Sequence, residues 1–339
     1  MCGRTWMEEV APLALPGDSS QGAVLLRDIA VPENDAGSLL ELAKVSHKSA
    51  HHKQNEDRAF SKCSKANGLI FQTFGIADGH GGSEASEHVH NNFPQAVNQL
   101  LMAGMDALTA YTVAIRECEQ SFKQEHGQSR AGACAVSATV VGNMIWCANL
   151  GDCRCAVVKL APKRKRATTV VDSLQWMSID HKVGNDDEVA RIEKLGGQVV
   201  KGRVGGLVPT RSIGDFDVKD KTAPGVISIT PDVRVLDLGE GTEAIVICAS
   251  DGVWDAVSGR ALCTIIETHP HFDDVQGIGK RLVEYAIKRG SQDDCSVMCG
   301  FVATEAAAPC SRTASGSSVS TTTSTTNWNS EKHRCTFSL

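Results

Sequence analysis

The sequence predicts an α+β layered domain built on antiparallel sheet. Strand-length apolar runs crowd the middle of the chain: residues 134–141, 144–149 and 153–160 follow one another almost without interruption. Such close spacing demands hairpins rather than crossover helices. Helical patterns concentrate outside that stretch, chiefly in residues 84–125 and 275–288, so helices are expected to pack outside the sheets. No Gly-x-Gly-x-x-Gly occurs anywhere in the 339 residues, which removes the usual mark of a doubly wound dinucleotide fold.

Residues 1–41 hold scattered Pro, Gly and Asp and read as an N-terminal extension with one strand at residues 22–26. From Glu41 the chain is steadily patterned. Residues 71–77 read as a strand, and residues 84–125 as helix, in two pieces, with breaks expected at Pro94 and Gly104. Leu108, Tyr111, Ile115, Cys118 and Phe122 recur at helical spacing and are expected to face a core. Gly142-Asn143 fits a tight hairpin between the first two middle strands. Residues 173–179, 226–229, 233–238 and 244–249 read as further strands. Residues 187–195 form a short helix stopped by Gly196-Gly197. Residues 275–288 are an amphipathic helix and residues 295–302 a last buried strand. Residues 304–339 change composition: Ser and Thr dominate residues 311–330, and such a tail is expected to be disordered.

Composition excludes several classes. With 42% hydrophobic and 22% charged residues, the chain is an ordinary globular protein. Thirty-four basic against 40 acidic residues give a net charge of −6, so bulk nucleic-acid binding is not expected. No run approaches the ~20 apolar residues of a membrane span. The thirteen cysteines show no zinc or disulfide framework, and no secretory leader is expected ahead of them. They are expected to be free thiols in a reducing, cytoplasmic setting, with Cys248 and Cys299 as core residues. Lys163-Arg164-Lys165-Arg166 is the one dense basic patch. It reads as a nuclear import signal, a docking site for acidic partners, or a solvated connection, the last being favoured.

The chemistry-bearing stretch is Ile76-Ala77-Asp78-Gly79-His80-Gly81-Gly82. A buried strand ends there in a hard oxygen ligand, a proton-transfer group and glycines that allow close backbone approach. Three more acidic clusters lie at strand ends: Glu56-Asp57, Asp251 with Asp255, and Asp293-Asp294. Clustered carboxylates repel and persist together only with cations or shared protons. Without a His or Cys ligand set, they point to Mg²⁺ or Mn²⁺ rather than Zn²⁺.

The chain resembles the protein phosphatase 2C family, the metal-dependent Ser/Thr phosphatases. The matching stretches begin with Asn55-Glu56-Asp57, Asp78-Gly79-His80-Gly81-Gly82 and Ala148-Asn149-Leu150-Gly151-Asp152-Cys153-Arg154. Asp180-His181-Lys182, Glu188 with Arg191-Ile192, Gly196-Gly197 and Arg211-Ser212-Ile213-Gly214-Asp215 follow. Ser250-Asp251-Gly252-Val253-Trp254-Asp255 and Gly290-Ser291-Gln292-Asp293-Asp294 complete the set. They keep the family's order across residues 42–303.

The resemblance implies a central β-sandwich of two antiparallel sheets flanked by helix pairs, a four-layer αββα domain with a binuclear metal centre at one end. It implies that Asp78 bridges two metals, that the Gly79 carbonyl ligates one, that Asp251 and Asp293 hold the first, and that Glu56 reaches the second. Asp57, on the opposite face of its strand from Glu56, is then a water-holding or supporting group. Asp152 and Asp255 are left for a weaker third metal beside Asp251. A water activated between the metals attacks phosphorus, and His80 protonates the leaving serine or threonine oxygen. The implied partners are phosphoprotein substrates, met by a monomer.

Two departures stand out. Where many relatives carry a phosphate-binding arginine, this chain has His52 followed by Lys53, and neither offers a guanidinium fork. Asp294 replaces the usual asparagine. Two other readings remain: a catalytically silent phosphatase-like binding module, and another carboxylate-based metal hydrolase such as a nuclease. The second is disfavoured by the low basic content.

Overall fold

The computed structural model describes residues 40–161 and 169–305. The strand expected at residues 22–26, the basic patch Lys163-Arg164-Lys165-Arg166 and the Ser/Thr-rich tail lie outside the described residues. In chain order the elements begin β1 (Glu41–His47), β2 (Arg58–Ala66), β3 (Leu69–His80), α1 (Glu84–Met102) and α2 (Ala107–His126). They continue with β4 (Gly132–Val141), β5 (Met144–Leu150), β6 (Arg154–Leu160), β7 (Val171–Trp176), α3 (Asp186–Lys194), β8 (Val199–Val200) and β9 (Arg203–Val204). The last are β10 (Ile213–Gly214), α4 (Phe216–Lys219), β11 (Asp232–Asp237), β12 (Glu243–Ala249), α5 (Asp251–Trp254), α6 (Gly259–Glu267), α7 (Val275–Lys288) and β13 (Cys295–Ala303).

Two antiparallel sheets carry the domain. One runs β1-β13-β12-β6-β7, the other β11-β5-β4-β3-β2, with β10 added to β4. The alternation of side chains along each strand decides what lies between them. In β3, Phe74 and Ile76 face the other sheet, while Leu69, Phe71 and Ala77 face helices α1 and α2. In β12, Val246 and Cys248 face inward, while Ile245, Ile247 and Ala249 face α6 and α7. The result is four layers: α1/α2, sheet, sheet, α6/α7. Cys248 and Cys299 are fully buried, as expected, and every described cysteine is free.

Several local expectations are corrected. Helix α1 runs through Pro94, and the break comes at Gly104, whose φ of 85° only glycine adopts readily. The buried face Val89, Phe93, Val97 and Leu101 holds both halves of α1 against the sheet despite the lost donor. Leu108 is 45% exposed. The buried stripe of α2 runs through Ala110, Tyr111, Ala114 and Cys118, and Leu108 falls off its edge. Residues 226–229 form no strand: Val226 and Ile227 instead fill a small cluster with Ile192 and Val204. Strand β7 stops at Trp176, because the Cys155 N–H donates to Ser178 Oγ (2.9 Å) and the ladder ends there.

Candidate metal centre and active site

The parity that sends Phe74 and Ile76 between the sheets places Asp78 on the same inward side at the end of the sandwich. Around it gather carboxylates from four other places in the chain. Asp57 precedes β2 and accepts a hydrogen bond from Ser250 Oγ (2.9 Å). Asp251 opens α5, with its N–H directed at Asp78 Oδ2, 3.4 Å away. Asp152 sits buried in the turn between β5 and β6. Asp293 lies before β13 with its side chain half exposed at the mouth.

Asp78, Asp57, Asp251 and Asp152 resist ionisation together. Burial pushes the Asp78 carboxyl well above its usual range, and the charges of Asp57, Asp251, Asp152 and Asp293 push it further. Burial also raises Asp57 to about 7, against hydrogen bonds from Ser296 and Ser250 that oppose it. Asp251 is pushed up to about 8 by burial and by the charges of Asp152, Asp293 and Asp255. Asp152 rises for the same leading reason, burial. Among the described residues no three His, Cys, Asp or Glu side chains already stand in a closed ligand set. The donor set itself, buried carboxylates repelling one another, is nonetheless one that a hard divalent cation relieves.

Glu56 and Gly79 meet beside Asp78. The Glu56 N–H donates to Asp294 Oδ2 (2.8 Å), and its carbonyl accepts from Ser86 Oγ. Its charge reaches both His80 and His52. A Cβ on Gly79 would stand 2.5 Å from the Glu56 carbonyl oxygen and 2.8 Å from Ser86 Oγ, so close backbone approach requires glycine there.

His80 is held by a residue to which the sequence assigned no role. Its Nε2 lies 2.9 and 3.0 Å from the two carboxylate oxygens of Asp215. Burial works against the imidazolium, but the hydrogen bond and charge of Asp215 outweigh it and raise the His80 pKa. Asp215 is itself buried, takes a left-handed φ of 54°, and accepts from Ser212 Oγ (2.5 Å). Glu119 on α2 braces this turn by accepting from the Gly214 N–H (2.7 Å) and from Lys219 Nζ (2.7 Å). The available signal was the Asp ending Arg211-Ser212-Ile213-Gly214-Asp215, but nothing in its spacing reveals which residue it faces.

His52 lies at the mouth, with Nδ1 3.1 Å from Asp294 Oδ2 and 4.0 Å from Asp293 Oδ1. The adjoining Asp294 carboxylate raises its pKa against partial burial, with Asp293 and Glu56 adding to the effect. Lys53 is exposed beside it. Asp294 does not point into solvent: it is buried and also accepts from the Ser49 N–H (2.6 Å). It therefore pins both ends of the 49–56 segment.

The outer edge of the cluster is built differently. Asp255 is 63% exposed and stands 3.5 Å from Lys182 Nζ and 4.0 Å from Arg154 Nη2. Behind Asp152, the Gly151 N–H donates to His181 Nδ1 (3.2 Å), and His181 Nε2 lies 3.0 Å from Asp232. Glu188 on α3 joins Arg191, Arg211 and Thr210 into one network, which keeps its carboxyl down at about 2 despite the cost of burial.

Fold and site together define an αββα sandwich whose carboxylate-lined end has the donor chemistry for hard divalent cations. The chain belongs to the protein phosphatase 2C family, whose sequence profile matches residues 41–295. It is 33% identical over 258 residues to probable protein phosphatase 2C 32 of Oryza sativa, covering 72% of this chain and 61% of that one. To probable protein phosphatase 2C 54 of the same species it is 29% identical, covering 66% and 60%. The chain thus spans about three-fifths of the length of these curated relatives. Among solved structures, a C. elegans sex-determining protein superposes with a TM-score of 0.64 at 21% identity, over 79% of this chain and 66% of that one. A phosphatase from Toxoplasma gondii superposes at 0.63 and 18% identity, over 78% and 92%. At these identities the structural likeness shows the fold.

Proposed function

We propose that residues 42–303 form a metal-dependent protein phosphatase acting on phosphoserine and phosphothreonine. The observation that carries this reading is the gathering of Asp57, Asp78, Asp152 and Asp251, each raised above the usual carboxylate range, beside a His80–Asp215 pair. Asp78, Asp251, Asp293, Glu56 and the Gly79 carbonyl would hold two Mg²⁺ or Mn²⁺ ions, with Asp57 steadying the site through Ser250. When bound, the cations supply positive charge against the phosphoryl oxygens and raise the acidity of water at the centre.

The chain's own residues do the rest. Asp215 fixes the His80 ring and favours its protonated form, so that His80 can give a proton to the departing serine or threonine oxygen, a role typically worth ~10²–10⁴-fold. His52, held on Asp294, and Lys53 offer positive charge at the mouth, without the bidentate grip of an arginine. No side-chain nucleophile is needed.

The test is phosphopeptide hydrolysis by the full chain with Mn²⁺, with Mg²⁺, with a chelator, and with Asp251→Asn. Turnover only with a cation, lost in Asp251→Asn, is expected. Turnover that survives chelation removes the mechanism, and its absence under every condition favours a silent phosphatase-like binding module.

A further inference from the structure

At the outer edge of the acidic cluster, Asp255, one of the carboxylates left for a weaker third cation, already faces two positive side chains. Lys182 Nζ lies 3.5 Å from Asp255 Oδ1. Arg154 Nη2 stands 4.0 Å from the same Asp255 oxygen. The two cations differ in how firmly they are placed. Arg154 is locked by paired bonds to Asp180 (2.5 and 2.7 Å), and its carbonyl accepts from Trp254 Nε1 (2.9 Å). Lys182 instead divides one ammonium between Asp255 and Asp180 Oδ2, the latter only 2.9 Å away.

We propose that Lys182 is a built-in cation that competes with a third divalent ion for Asp255. The inference rests on the metal-centre reading above. A Mg²⁺ or Mn²⁺ ion takes its oxygen ligands at roughly 2.0–2.2 Å. An ion ligated by Asp255 would therefore meet the ammonium at short range, and like charges that close repel strongly. Lys182 has somewhere to go, because Asp180 satisfies it without Asp255. Displacement is then reversible: the third ion binds weakly while Lys182 is engaged and more tightly once it is turned away or removed. Lys182 sets the concentration at which the centre passes from two ions to three.

Mn²⁺ binding to the full chain, followed by calorimetry and by electron paramagnetic resonance of free Mn²⁺, tests this without substrate. In Lys182→Met the weakest-bound ion is expected to tighten by about tenfold, the size of an ordinary coupling between sites, while the tighter ions stay unmoved. Adding Asp255→Asn to Lys182→Met should remove the gain. An unchanged or weaker third affinity, with the tight ions intact, overturns the competition alone. Absence of all Mn²⁺ binding in the parent overturns the metal centre and this inference with it. A measurement on the parent covers a variant that fails to fold: acylation of Lys182, read by mass spectrometry, should rise as Mn²⁺ fills the weakest site, and a flat yield overturns the proposal.

Discussion

Nε2 of His80 lies 2.9 Å from Oδ2 of Asp215, a residue 135 positions further along the chain. The pair joins the end of β3 to the turn before α4, and Gly132 makes the contact possible. A Cβ at Gly132 would collide with both His80 Nε2 and Asp215 Oδ2. His80→Ala should lower kcat on a phosphopeptide by about 10²-fold or more. It should cost far less on an aryl phosphate, whose leaving group needs no proton. Asp215→Asn and Gly132→Ala should follow the same split with KM little changed, because both act by placing the His80 ring. Steady-state kinetics on the two substrates check this. Equal losses on both would remove His80 as the acid.

Metal-free stability should depend on pH through the aspartates. Asp57 and Asp251 titrate at about 7 and 8 in the folded chain, against roughly 4 when unfolded. Above pH 4 the unfolded chain has shed protons the folded chain still holds, so metal-free stability falls as pH rises through 7 to 8. Added Mn²⁺ replaces those protons. Its gain in melting temperature should therefore be larger at pH 8 than at pH 6. Thermal melts with chelator and with Mn²⁺ across this range give the comparison, and a gain independent of pH counts against the coupling.

Glu188 should govern acid stability. Its carboxyl is held at about 2 by Arg211, Arg191 and Thr210. The stability it contributes is complete above the unfolded value near 4.5 and is lost as pH falls toward 2. Glu188→Gln leaves two guanidinium groups without their shared anion and should cost about 3 kcal/mol. Urea unfolding at pH 7 measures that cost, and the difference from the parent should shrink by pH 2.5.

His52 and Asp294 set the mouth of the site. His52→Arg supplies a fork that can take two phosphoryl oxygens, so KM for a phosphopeptide should fall several-fold with kcat little altered. An unchanged KM would take His52 out of phosphate binding. Asp294→Ala strips acceptors from the Ser49 and Glu56 N–H groups and from His52. A loss of about 3 kcal/mol in unfolding free energy is expected.

Much of the fold was legible because strand parity and helical spacing are local. The ranges of β4, β5, β12, α7 and β13 came within a residue or two of those the pattern gives. Residues 226–229 misled because so short a stretch, three apolar residues interrupted by Ser228, carries no reliable period, and Val226 and Ile227 joined a small cluster rather than a sheet. The carboxylates were legible one by one, since each ends or begins an apolar run. Their partners were not. Asp215, His181 with Asp232, and the Lys182–Asp255 contact pair residues far apart in sequence, and no spacing rule connects them.

The residue types at Asp57, Asp78, Asp152, Asp251 and Asp293, and the parity that sends Asp78 between the sheets, can be read from the chain alone. Closure of the fold decided that burial and mutual repulsion act together on Asp78 and its neighbours. It also decided that Asp215 faces His80 and that Asp294 turns inward to hold His52. The division has a physical reason. Alternation along a strand is fixed by the backbone of neighbouring residues, whereas desolvation and Coulomb interaction depend on distances that exist only once the two sheets have closed.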